Sequence, residues 1–112
     1  MEPNRKPWTD IRIPGIARID RVVAEFDVWT DGMTLPFAKF KVKIVERTDD
    51  FLGVVNVAIK NQVTGYPEWI GGNGWSVEEA LEDAIRYFLR EVEKYAPPRP
   101  LTDEDFEWSD EF

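Results

Sequence analysis

The chain contains no cysteine and no histidine. The first absence excludes a disulfide framework and a thiol nucleophile. The second excludes imidazole bases and Ser-His or Cys-His arrangements, and together they remove His/Cys metal sites. What remains for chemistry is carboxylates, Tyr, Lys and hydroxyls. Basic residues are also in deficit, 14 against 22 acidic, for a net charge of −8. That disfavours nucleic acid and anionic membranes as partners and favours a basic protein surface. No apolar run is long enough to span a bilayer and no signal peptide is recognisable, so a soluble, cytoplasmic protein is expected. Internal repeats are absent.

Aromatic residues, by contrast, are plentiful, with five Trp, seven Phe and three Tyr in 112 residues. The length suits one domain with a modest core. The pattern divides the chain into an irregular arm over 1–15, one α+β domain over 16–96, and a Pro-rich spacer with an acidic-aromatic tail over 97–112.

The best-specified stretch runs from Gly71-Gly72-Asn73-Gly74 through Ser76 into an apolar repeat. Ser76 followed by Glu79 is a capping box. Glu78, Glu79, Glu82 and Asp83 crowd the first turns, where the helix dipole favours them. Val77, Ala80, Leu81, Ala84, Ile85, Phe88, Leu89 and Val92 recur at steps of three and four and form one buried stripe. Pro97-Pro98 end the helix, which is expected over 76–95. The glycines before it predict a tight turn with positive φ. A phosphate cradle is disfavoured there, because no Walker lysine follows and two Glu flank the helix amides.

Earlier in the chain, period-two alternation predicts three strands. The first spans 19–30, with a helix over 16–25 as the alternative; the second spans 37–46 and the third 51–60. Gly53 marks a bulge or a close approach. Short connections imply an antiparallel meander, and its apolar face needs the helix as cover. The expected fold is therefore a three- or four-stranded antiparallel meander covered on one face by a C-terminal α-helix (βββα), followed by an acidic tail. Trp69-Ile70 is a candidate short extra strand, and Trp8, Ile11 and Ile13 a candidate edge segment, with a frayed terminus as the alternative. Lys39, Lys41 and Lys43 form a basic stripe. It reads as a solvated face, or as a surface for acidic groups that the chain's own tail could fill.

Two segments carry candidate sites. Tyr66, Trp69 and Trp75 sit in a glycine-rich loop, either as a lid on the helix–sheet seam or as a platform for a ligand or peptide. Residues 101–112 hold six acids and no base, interleaved with Leu101, Phe106, Trp108 and Phe112. Three readings stay open for this tail: a docking motif, a segment folded back on its own sheet, or a solvated end.

Pro67, Gly72, Gly74 and Ser76-Val77-Glu78-Glu79-Ala80-Leu81 with Ala84-Ile85 resemble a segment of HicB-like antitoxins. The resemblance covers residues 67–85 only. It implies a small sheet backed by that helix, a ribonuclease-H-type fold without catalytic acids, and a small basic toxin ribonuclease as partner. The same stretch is similar to the end of double-stranded-RNA-binding domains. That family binds phosphates with lysines after the Ser; Val77, Glu78 and Glu79 stand there instead, which implies a fold that has lost RNA binding.

The leading expectation is a non-enzymatic interaction module for a basic protein. Phe106, Trp108, Phe112, Asp103 and Asp105 are its candidate partner-binding residues, and a homodimer through a sheet edge is compatible with it. One alternative is a small-ligand pocket between sheet and helix lined by Trp69, Trp75 and Tyr87. Another is carboxylate-dependent, metal-assisted hydrolysis at Asp49, Asp50, Asp103 and Asp105. No catalytic residue, cofactor or resident metal is assigned.

Overall fold

The computed structural model describes residues 7–112; positions 1–6, the start of the predicted arm, lie outside the described residues. The architecture is α+β. Strands β1 (Arg21–Trp29), β2 (Lys39–Glu46), β3 (Phe51–Val55) and β6 (Gly71–Gly74) form an antiparallel sheet in the order β1-β2-β3-β6. Strands β4 (Val57–Lys60), β5 (Pro67–Glu68) and β7 (Phe106–Trp108) form a smaller antiparallel sheet in the order β5-β4-β7. Helix α1 (Val77–Tyr95) packs on the larger sheet. Among the described residues no helix is long and apolar enough to cross a membrane.

Three strand expectations need adjustment. Residues 21–29 are strand, so the helical alternative over 16–25 falls. The predicted strand over 51–60 is two strands, because the chain changes sheets at Asn56. Its N–H donates to the Lys41 carbonyl (3.0 Å) and its Oδ1 accepts from the Lys41 N–H (2.8 Å). With both Lys41 groups held, the Asn56 carbonyl is released to accept from the Ser109 N–H (2.8 Å). An Asn side chain thus stands in for a backbone group at the junction of the two sheets.

Trp69 and Ile70 lie between β5 and β6 rather than forming a strand themselves. Gly71–Gly74 is itself the fourth strand of the larger sheet, not a positive-φ turn; the positive-φ glycines are Gly15, Gly32 and Gly65.

The glycines of β6 are explained by what lies on them. A Cβ on Gly74 would stand 2.5 Å from the Glu79 Cβ, and one on Gly72 would stand 2.6 Å from the Ala84 Cα. Across the ladder from Gly72, a Cβ on Gly53 would stand 2.8 Å from the Ala80 carbonyl oxygen. So the first turns of α1 rest directly on sheet backbone. Real Cβ contacts are never this close, and only glycine allows the approach. The helix matches this floor with small residues: Ala80 and Ala84 are fully buried, then Phe88 and Val92 continue the row where the floor falls away. Leu89, expected in the buried stripe, is 41% exposed. Ser76 caps the helix, its Oγ accepting from the Glu79 N–H at 3.1 Å.

The core is one cluster in which Val42, Ile44, Val55, Val57, Ile59 and Phe88 are fully enclosed. Phe88 meets Phe40 with ring centres 5.0 Å apart, a tilted contact that adds to the burial of both rings.

Gly72→Ala is expected to lower stability by about 1–3 kcal/mol, because helix or strand must shift to admit the methyl group. Gly71→Ala, whose nearest non-local atoms are 3.4 Å away, serves as the control and should change stability by less than about 0.5 kcal/mol. Denaturant unfolding of both variants checks the contrast.

Candidate interaction surface

The tail is folded back on the chain's own small sheet. After Pro97-Pro98, Arg99 donates to both carboxylate oxygens of Asp105, at 2.9 and 2.7 Å. Asp105 Oδ2 also accepts from the Thr102 backbone N–H at 2.9 Å. These bonds close the short turn Asp103–Asp105 and aim Phe106 inward. The Arg99 guanidinium, with smaller help from Thr102, holds the Asp105 carboxyl down to about 2 against the burial that opposes it. Phe106 enters the core edge-on to Phe37, ring centres 5.0 Å apart, and Trp108 packs on the same Phe37 ring at 4.9 Å. β7 pairs Phe106 with Ile59 and Trp108 with Val57.

This placement sorts the five tail residues. Asp105 and Phe106 are each only 4% exposed, so they are spent on the fold and offer no partner a surface. Asp103 is exposed and Trp108 is 37% exposed. Phe112 lies under the Lys43 ammonium at 4.5 Å. The lysine stripe therefore meets the tail at one residue. Its other members pair within the sheet, Lys41 with Glu25 at 3.2 Å and Lys39 with Asp27 at 3.7 Å.

The loop aromatics are not brought together. Trp69 lines a hollow with Val54, Lys43 and Phe112, whereas Trp75 lines another, of about 400 Å³, with Asp50, Glu79, Glu82, Asp83 and Arg86. Tyr66 is 73% and Trp75 76% exposed, so Trp75 does not seal the helix entrance as a lid. Tyr87, 41% exposed, lines neither hollow. The helix–sheet seam beside β6 holds Gly against Ala with no room for a ligand.

Around Trp75 the acids are ordered by the chain itself. Asp83 accepts from the Asn73 N–H at 2.9 Å, Glu82 takes Arg86 at 2.9 Å, and Asp50 takes Arg47 at 2.6 Å. Asp49 and Asp50 stand at the β2–β3 turn and Asp105 is bound to Arg99. Among the described residues, no three Asp or Glu are grouped to hold a metal ion.

One surface feature follows from the meander that the sequence predicts: β1, its first strand, is an outer strand of the sheet. Every residue of it is exposed or half-exposed. The helix lies over β6, β3 and β2, which leaves the inner side chains Ala24, Phe26 and Val28 only partly covered. Glu25, Asp27 and Trp29 line the opposite face. Alternation of Glu25 and Asp27 against Lys39, Lys41 and Lys43 is a readable sign that these strands pair. Comparison of the chain with profiles of known protein families, with curated proteins and with solved structures finds no match.

The Asp105 carboxyl is ionised in the folded state well below its usual range, so its contribution to stability is complete above about pH 4 and is lost as pH falls toward 2. Asp105→Asn is expected to cost about 1–3 kcal/mol at neutral pH and to flatten that acid limb, as followed by unfolding at a series of pH values. Phe106→Ala, a cavity in the core, should cost about 3–5 kcal/mol by the same assay.

Proposed function

We propose that this protein is a non-enzymatic interaction module that binds a basic protein partner in the manner of an antitoxin. The observation that carries the reading is Trp75, a large ring 76% exposed beside a hollow lined by four acids, Asp50, Glu79, Glu82 and Asp83, and one cation, Arg86. An indole in water next to carboxylates suits an arginine or lysine side chain, which the ring attracts through its face and the acids through charge. The net charge of −8 adds long-range steering toward such a partner. The HicB-like segment over 67–85, which includes Trp75, suggests the kind of partner: a small basic ribonuclease encoded beside this gene.

Co-expression with the neighbouring gene product and co-purification test the reading. The partner is expected to be basic, to bind wild type, and to lose at least about tenfold in affinity to Trp75→Ala combined with Glu82→Lys, the loss that one central aromatic anchor supports. Binding should weaken as salt rises to about 0.5 M. A partner that binds the double variant as well as wild type at both salt levels would overturn it.

A further inference from the structure

We infer that the free edge of β1 accepts a segment of the partner as an additional strand, and that this segment alternates Lys or Arg with apolar residues. The inference rests on the basic-partner reading above and specifies how that partner docks. Among the described residues, no strand pairs with the outer edge of β1, the longest strand of the sheet at nine residues.

Backbone geometry fixes which groups are on offer. The Thr30 N–H donates to the Ala38 carbonyl at 2.8 Å, continuing the β1–β2 ladder. Alternation from there turns the N–H and C=O groups of Val28, Phe26 and Ala24 toward β2. Those of Trp29, Asp27 and Glu25 turn outward. The shift in pairing between Val22 and Ala24 limits the straight, usable edge to about residues 24–29.

The two faces of this slot set the chemistry of its occupant. On one face Glu25 and Asp27 receive lysines from the β2 side, and among the described residues no strand lies on their other side. On the other face Ala24, Phe26 and Val28 are apolar and partly uncovered. A strand filling the slot needs cations against the acids and apolar side chains against the inner face. The chain already holds such a strand on the opposite edge of β1: β2 reads Lys39-Phe40-Lys41-Val42-Lys43-Ile44. A partner strand of that pattern would repeat outside β1 what β2 does inside. A second copy of this chain fits less well, because antiparallel pairing of β1 with itself over residues 24–29 sets Glu25 and Asp27 against one another's equivalents.

The probe is a synthetic peptide carrying residues 38–45 of this chain, with a control in which its three lysines are replaced by glutamate. Titration into the full-length protein, followed residue by residue by NMR, should perturb Glu25, Asp27 and Trp29. It should also slow hydrogen exchange of their outward amides by at least about tenfold at saturation, as new ladder bonds require. The glutamate control should not bind. Asp27→Pro removes one outward N–H without removing a bond to β2, a tolerated change on an edge strand. It should weaken peptide binding by about tenfold or more while unfolding stays cooperative, since the main-chain bonds carry affinity in strand addition. Peptide binding with shifts confined to Trp75, Glu79 and Glu82 would overturn the edge inference and leave the basic-partner reading standing. A peptide that produces no shifts would overturn the edge inference, and survival of the partner complex in Asp27→Pro would do so as well. Self-association of wild type that Asp27→Pro abolishes would assign the edge to a second copy and overturn it too.

Discussion

The approach of α1 to bare backbone at Gly53, Gly72 and Gly74 governs the rest of this structure. A helix seated on side chains stands about 10 Å from a sheet, in step with the spacing of packed layers. Here its first turns sink onto β6 and β3, with the methyl groups of Ala80 and Ala84 and the Glu79 Cβ between. The helix is thereby fixed mainly over β6 and β3, one side of a four-stranded sheet, and β1 at the other end is only partly covered. The same placement carries Phe88 to the far end, where Phe40, Phe37 and Phe106 close around it. One short strand of glycine thus decides both where the core is dense and where the sheet is left open.

The tail follows from that arrangement. Beyond Phe88 the core lacks a wall, and the chain supplies one by returning through Pro97-Pro98 and closing the Arg99–Asp105 pair. A buried carboxylate is costly unless paired and hydrogen-bonded. Asp105 has two guanidinium donors and a backbone N–H, so the pair mainly fixes direction: it turns Phe106 into the core and brings Trp108 beside Val57. Acidity in this segment is therefore of two kinds. Asp105 belongs to the fold, while Asp103, Glu104 and Glu107 remain on the surface and contribute to the field around the molecule.

Much of this was legible in the sequence where side chains carry a period. The helix and its Ser76 cap, the alternation in β1 and β2, and the antiparallel order of the first three strands all follow from pattern. Gly71–Gly74 was not legible as a strand, because three glycines and one Asn have no apolar alternation to read; the sign lay in the partner element, where Ala80 and Ala84 leave room for backbone. The tail was ambiguous for a different reason. Its six acids dominate composition, and nothing local distinguishes Asp105 from its neighbours until Arg99 closes on it. Of the candidate site, the acids and aromatics were nameable in advance. Their sorting into buried Phe106 and scattered Trp69 and Trp75 depends on the second sheet and on β6, which the side-chain period does not encode.

The central claim is that α1 lies on glycine backbone rather than on a side-chain layer. Nuclear Overhauser contacts between glycine α-protons and the helix measure this directly. The account predicts strong contacts from Gly53 Hα to the Ala84 methyl group and from Gly72 Hα to the Ala84 amide. Ala84 methyl contacts limited to its own helix, with the glycine α-protons of β6 touching only water and neighbouring strand, would contradict it.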